Sequence, residues 1–292
     1  MNRLILKLPF CTSLALFLFA ANSILCRMAL GTNAIDAASF TIIRLLSGII
    51  VLVVLLKIKK NDSLSPSKGS WKASAMLFLY AITFSFSYIS LEAGTGALIL
   101  FGAVQITMIL TNMISGHKLH YSEWIGIFTA FIGFIYLVLP SLTTPSLMGF
   151  ILMTVAGIAW GTYTILGRGS QHPLSDTTYN FLRTLPFIMI LLAVTIQQAN
   201  LSHVGVLLAV LSGGIASGLG YTVWYIALRG LSTTQAAVVQ LLVPVIAAIG
   251  GVLFTNEMIS LRLVLSSLMI LGGIMVVLLG KSLVSQLTSN SS

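Results

Sequence analysis

The chain has 292 residues, 57% of them hydrophobic and only 7% charged, with a formal net charge of +9. Soluble domains carry about 25% charged residues, so this composition cannot build a water-facing surface. That sets aside a soluble enzyme and a basic nucleic-acid binder, and leaves the positive charge to be explained by where it sits.

Ten apolar spans are predicted, at 10–30, 36–56, 73–91, 96–115, 122–139, 147–167, 176–196, 204–226, 235–254 and 262–280. Each approaches the roughly 20 residues that a membrane helix needs. The first follows Arg3 and Lys7 and ends its apolar run at Ala20-Ala21, the outline of a signal peptide. We expect it to be retained, because Asn22–Arg27 has a counterpart near Tyr163–Arg168, deep in the chain, and its loss would leave one repeat a helix short. Cys11 and Cys26 lie about four helical turns apart, too far for a disulfide; both read as packing residues. The polar segment 57–72 carries a Ser65-Pro66-Ser67 turn signal, and Pro140 to Pro145 joins the two halves. His117 and His120 stand three apart after the fourth span, but no Cys or carboxylate cluster completes a metal set, so no metal is expected.

Residues 124–167 and 184–228 contain no Asp, Glu, Lys or Arg. With no water in the bilayer core, backbone groups must satisfy one another, so these runs are helices; a membrane barrel would show short alternating strands instead. In the eighth span Gly213, Gly214, Gly218 and Gly220 accumulate, with Gly214 and Gly218 forming a small-xxx-small face for close packing. Pro244 should bend the ninth span near its middle. The tail from Ser282 is polar and is expected to be mobile.

The chain repeats itself. Arg27 corresponds to Arg168, Arg44 to Arg183, Ala97 to Ala236 and Gly133 to Gly272. Five spans per copy is an odd number, so the second copy enters the membrane from the opposite side. Inverted repeats of this kind are a common build of secondary transporters. The halves are 10–139 and 147–280. With the N-terminus inside, twelve lysines and arginines fall at or near the inner surface, and only Arg27, Arg44 and Arg262 fall outside. The positive-inside bias therefore places both termini in the cytoplasm.

Ionisable groups in hydrocarbon are functional candidates by default, and none reads as mid-depth here. Asp36, Glu92, Glu123, Asp176 and Glu257 sit near span ends. Arg27 and Arg44 are placed near the outer surface, and Arg168 and Arg183 near the inner. They line gates or attract anionic substrate, or else snorkel to headgroups or pair with Asp36 and Asp176. Uncharged polar and aromatic residues do fall near mid-span. Asn22, Tyr80, Thr83, Gln105, Trp160, Tyr163, Tyr221 and Gln240 are the candidate substrate contacts, or alternatively interhelical bonding groups. No P-loop and no paired nucleophile and base are found, so no catalytic residue is assigned.

These features converge on a resemblance. Ala227-Leu228-Arg229-Gly230-Leu231-Ser232, Pro244 followed by Asn256-Glu257, Gly272-Gly273 and Trp160-Gly161 resemble motifs of the drug/metabolite transporter superfamily, in its ten-helix EamA branch. The first half departs from the pattern: Lys118 stands for a glutamate, Gln105 for a proline, and the first span lacks Trp-Gly. The resemblance implies export of small metabolites, such as amino acids or related compounds, across a bacterial inner membrane. It also implies a structural role for Pro244 and a turn-stabilising one for Glu257.

The expected protein is thus all-α and integral to the membrane, with ten transmembrane helices as two inverted five-helix repeats. It moves a small organic solute by alternating access, with spans 1, 3, 4, 6, 8 and 9 around the cavity and the fifth and tenth at the periphery. Its partners are the lipid bilayer and a small-molecule substrate; no cofactor and no nucleic acid is expected, and a homodimer is compatible with the build. The alternatives are a non-transporting membrane scaffold and a membrane-embedded enzyme.

Overall fold

The computed structural model describes residues 2–58, 68–114, 121–138, 145–231 and 239–289. The Ser65-Pro66-Ser67 turn, His117, Lys118, His120, Pro140, Ser232 and Ala236 lie outside the described residues. Within the described residues every predicted span falls mainly on helix. The elements are α1 (Asn2–Gly31), α2 (Ala37–Ile58), α3 (Trp71–Ser87), α4 (Ala93–Ile114), α5 (Tyr121–Val138), α6 (Leu147–Gly167), α7 (Pro173–Leu182), α8 (Leu185–Thr195) and α9 (His203–Val210). A π-helical segment (Leu211–Leu219) follows, then α10 (Gly220–Leu228), α11 (Leu242–Thr255) and α12 (Leu261–Ser289). Six stretches are long and apolar enough to cross a bilayer: Leu8–Gly31, Ala37–Ile58, Ala93–Thr111, Leu147–Gly167, Pro173–Gln198 and His203–Leu228. Shorter apolar stretches occupy Glu123–Leu137, Leu242–Thr255 and Leu261–Val277, and α3 has 17 residues.

Local sequence explains the ends and breaks. Ser70, Ser146 and Ser202 cap α3, α6 and α9 by accepting from the backbone N–H of Ala73, Gly149 and Gly205. The seventh span is broken at Arg183 and Thr184, and Pro186 sits in the first turn of α8, where its missing N–H costs nothing. Pro244 does not bend a continuous helix; it stands in the first turn of α11, just after a break at Leu241. Asn256 ends α11 in the left-handed conformation, φ 53°, which Asn tolerates better than most side chains. The helix α12 runs on to Ser289, so residues 282–289 continue the last helix beyond the predicted span.

Packing sorts the helices into a bundle and an appended pair. The helix α6 packs on α3 and α4, and α1 packs on α10, the π segment and α11. The helix α2 lies against the π segment, α7 and α8. Outside this bundle, α5 and α12 pack mainly on each other, with Gly126 and Gly273 at their closest approach. Their outer faces, including Phe128, Phe131 and Leu268, are exposed apolar surface, which suits lipid better than water.

The π segment changes which glycines matter. A Cβ on Gly213 would overlap the Arg44 carbonyl oxygen and the Ser47 hydroxyl of α2, whereas at Gly214 and Gly218 the nearest atoms lie 3.0 and 3.3 Å away. The expected Gly214/Gly218 face is therefore not the tight one. That expectation assumed an α-helical turn, and the i→i+5 pitch of a π-helix rotates the crowded face to Gly213.

Candidate functional site

A buried cluster of polar and aromatic side chains occupies the centre of the bundle. Arg44, two turns into α2, is only 1% exposed. Its Nη2 donates to the hydroxyls of Tyr80 and Tyr221, each at 3.1 Å, and its Nε donates to Ser217 at 3.2 Å. The guanidinium lies 5.1 Å from the Tyr80 ring centroid and 4.8 Å from that of Phe84. Asn22 of α1 donates from Nδ2 to the Tyr80 hydroxyl at 3.2 Å and accepts from Ser212 at 2.6 Å. The π segment thus supplies two hydroxyls, Ser212 and Ser217, to groups on two different helices. A π-bulge at such a point is a frequent mark of a functional site.

Aromatic rings wrap this network. Trp160 meets Tyr221 at 4.5 Å between centroids, Tyr80 at 5.1 Å, Tyr163 at 5.5 Å and Phe19 at 5.8 Å. The void they enclose, lined by Phe19, Asn22, Tyr80, Phe84, Trp160 and Tyr221 among others, is about 10 Å³. That is less than one organic molecule needs. Trp224 packs on Phe19 at 5.7 Å, and its indole N–H is buried without an acceptor.

The two ends of the bundle differ. At one end Arg27 Nε donates to Glu257 Oε1 at 2.9 Å, and Nη1 reaches the Tyr88 carbonyl at 3.3 Å. Glu257 Oε2 accepts from the Ala93 N–H at 2.8 Å, the first residue of α4. One ion pair thus ties the ends of α1, α3, α4 and α11. Glu92 lies beside it; burial raises its carboxyl above the usual value, Glu257 adds to the rise and Arg27 opposes it. At the same end the loop before α2 meets the loop before α9. Burial works against ionisation of Asp36, but hydrogen bonds from Ser39, Asn200 and Ala38 outweigh it and hold the carboxyl low. At the other end a cavity of about 380 Å³ opens between α6 and α10, lined by Thr164, Arg168, Gln171, Tyr225, Arg229 and Gln240 among others. Tyr225 faces Tyr163 at 6.1 Å between ring centroids, so a row of rings leads from this cavity to Trp160 and the central cluster.

The candidates read from sequence divide accordingly. Asn22, Tyr80, Trp160 and Tyr221 come together at the centre, with Tyr163 next to them. Gln240 and Arg168 line the cavity instead. Thr83 and Gln105 are buried but are not among the residues lining the central void, and the Thr83 hydroxyl is used within its own helix by the Leu79 carbonyl at 2.7 Å. Several placements are corrections. Arg44 is not near a surface: hydroxyls and ring faces give it an interior seat without a headgroup. Arg27 pairs with Glu257, not Asp36, because the end of α11 is folded over the end of α1. Arg183 donates to the Lys68 carbonyl and lies 5.6 Å from the Trp71 centroid, while Asp176 accepts from Gly69 and Ser170. Glu257 is a long-range tie rather than a local turn residue. Among the described residues the ninth span does not line the central void, and α2 joins the cluster beside it through Arg44, which bonds Tyr80 and Tyr221. Phe19, Phe84, Phe101, Trp224, Ser212 and Ser217 were not foreseen, since aromatics and serines in apolar runs look alike whether they face lipid or core.

Replacing Asn22 with alanine strips Tyr80 of one donor and Ser212 of its acceptor. The expected loss is about 1 to 2 kcal/mol, read as a lower unfolding midpoint of the purified protein. A midpoint equal to wild type would mean that Asn22 does not hold α1, α3 and the π segment together.

Comparisons with known proteins agree with this architecture. A profile of the EamA-like transporter family matches residues 147–279. An uncharacterized protein of Pseudomonas aeruginosa is 48% identical over 267 residues, which cover 91% of this chain and 93% of that one. An uncharacterized transporter of Archaeoglobus fulgidus is 27% identical over 213 residues, covering 68% and 73%. A solved crystal structure of a protein at 16% identity superposes with a TM-score of 0.63 over 91% of this chain and 96% of that one, a likeness of fold. A multi-pass helical membrane protein with these relatives belongs to the EamA-like transporter family of the drug/metabolite transporter superfamily.

Proposed function

We propose that the chain is a secondary transporter that moves small organic metabolites, of the class of amino acids or related compounds such as their amine-free acids, out of the cell across a bacterial inner membrane by alternating access. The observation that carries this reading is the buried polar and aromatic cluster, set between one end tied shut by Arg27 and Glu257 and another open through a 380 Å³ cavity. Positive-inside bias assigns the tied end to the outside and the open end to the cytoplasm. Asn22, Arg44, Tyr80, Trp160, Tyr163 and Tyr221 are the proposed central contacts, and Arg168 and Gln240 line the inner vestibule.

The packing pattern supports ten spans in two inverted repeats, 10–139 and 147–280. Exchanging the repeats converts the pairing of span 6 with spans 3 and 4 into the pairing of span 1 with spans 8 and 9; both sets occur. The fifth and tenth spans pair with each other, as do the second and seventh, and each of these pairings maps onto itself. Two such halves can rock about a shared centre.

The test is single-cysteine scanning along α1 and α6 in a protein lacking Cys11 and Cys26, joined to solute uptake by vesicles. The expected result is a stripe of mid-depth positions that react with aqueous thiol reagents, together with uptake of one or more solutes. Dry positions throughout, with no solute moved, would leave the scaffold reading in its place.

A further inference from the structure

Resting on the transporter reading, we infer that the solute carries a net negative charge and presents a carboxylate, or an equivalent oxyanion, to Arg44. The central cluster has more donors than acceptors. Arg44 has five N–H donors, and the structure provides three hydroxyl oxygens for them, on Tyr80, Tyr221 and Ser217. Asn22 Nδ2 competes for one of these, the Tyr80 oxygen. Arg44 Nη1 is buried and meets no protein acceptor, and the Trp224 indole N–H in the same aromatic wall is likewise without one. What this site lacks is an anion with several lone pairs.

Charge balance points the same way. Among the described residues Arg44 forms no ion pair. Asp36 is held by Ser39 and Asn200, Asp176 by Gly69 and Ser170, and Glu257 by Arg27 and Ala93, all away from the centre. A buried cation without a counter-charge is costly, and a bidentate carboxylate is the geometry a guanidinium matches best. A monoanion would bring the site to neutrality. A zwitterion would bring its own ammonium, for which the cluster offers no carboxylate. The flanking rings of Phe19, Trp160 and Tyr221 suit a flat apolar body on the same molecule. The void of about 10 Å³ requires these rings to turn aside on entry, and Tyr163 and Tyr225 mark the route from the open cavity.

The experiment uses purified full-length protein in lipid nanodiscs at neutral pH. Thermal-shift titrations compare phenylacetate with phenylacetamide, which has the same shape without charge, and with the zwitterion phenylalanine; acetate, benzoate and indoleacetate extend the anion set. Phenylacetate is expected to bind about tenfold tighter than phenylacetamide or phenylalanine. Arg44→Lys should keep the preference for the acid at weaker affinity, and Arg44→Gln should abolish it. Equal binding of acid and amide by wild type, no binding by any carboxylate, or an undiminished acid preference in Arg44→Gln would each overturn the inference. If Arg44→Gln does not fold, the wild-type comparison of acid and amide decides alone. Vesicle uptake separates this inference from the reading beneath it. Anions that bind selectively but are never moved would sink transport and leave the anion site. Uptake that favours amides over acids would sink the anion site and leave transport.

Discussion

Gly213→Ala is expected to destabilise the protein by about 3 kcal/mol or more, while Gly272→Ala leaves it unchanged or slightly more stable. Both glycines lie in helical segments of the second half, and on helix propensity alone alanine should gain up to about 1 kcal/mol at each. Their surroundings decide otherwise. At Gly272 an added Cβ has nothing within 4 Å, so only the propensity gain remains. At Gly213 the Cβ would fall on the Arg44 carbonyl and the Ser47 hydroxyl, and backbone cannot turn aside as a side-chain tip can. Relief requires the π segment and α2 to move apart, and overpacking of this kind typically costs 1–3 kcal/mol or more. Gly48 lies across the same contact, where its Cβ would meet the Phe181 ring at 2.5 Å and the Gly213 carbonyl oxygen at 3.2 Å. Their separation would also pull Ser217 from Arg44 and Ser212 from Asn22. Chemical or thermal unfolding of the two variants beside wild type provides the measurement. A Gly213→Ala midpoint at or above that of Gly272→Ala would contradict the close approach of these two backbones.

The same pair of glycines shows what could be read before the structure. Helix positions follow from uninterrupted apolar runs, because hydrocarbon leaves the backbone no other solution; the predicted spans therefore land on helices throughout the described residues. Mid-span polarity picked out Asn22, Tyr80, Trp160 and Tyr221 for a similar reason, since an amide or a phenol deep in a dry bundle needs partners. Arg44 escaped because a charge early in a span is ordinarily assumed to snorkel. It lies seven residues into α2, about 10 Å of rise, and hydroxyls on α3, the π segment and α10 receive it. Glycine spacing foretold close packing but not its face, because nothing in Gly213-Gly214-Ile215-Ala216 announces a π pitch. Glu257 looked local because its partners, Arg27 and Ala93, are more than 160 residues away in the chain.

Glu257→Ala should loosen the end of the bundle that carries Arg27, with Cys26 as the native reporter. Cys26 precedes Arg27 in α1 and is fully buried. In a protein with Cys11 replaced by serine, Cys26 should react slowly with an aqueous maleimide. The Arg27–Glu257 pair is largely buried, at 21% and 10% exposure, so its loss removes both a charge pair and the acceptor for the Ala93 N–H. Breaking a fully buried pair costs about 3–5 kcal/mol; partial exposure halves this, to about 2 kcal/mol. Since 1.4 kcal/mol is a factor of ten in an equilibrium, the open population, and with it Cys26 labelling, should rise at least about tenfold. Arg27→Ala should do the same, and the double variant should add little to either, because each single change already breaks the pair. Glu257→Gln keeps an oxygen for Ala93 without the charge and should fall between wild type and Glu257→Ala. Global unfolding would also expose Cys26, so labelling is compared at temperatures well below each variant's midpoint. If these ends form the outer seal of a transporter, the labelling reagent must work from outside the cell, and solute addition should change its rate, because a ligand shifts a two-state equilibrium only through its differential affinity for the two states. Cys26 labelling in Glu257→Ala no faster than in its parent would leave the ion pair without a sealing role, whatever the protein moves.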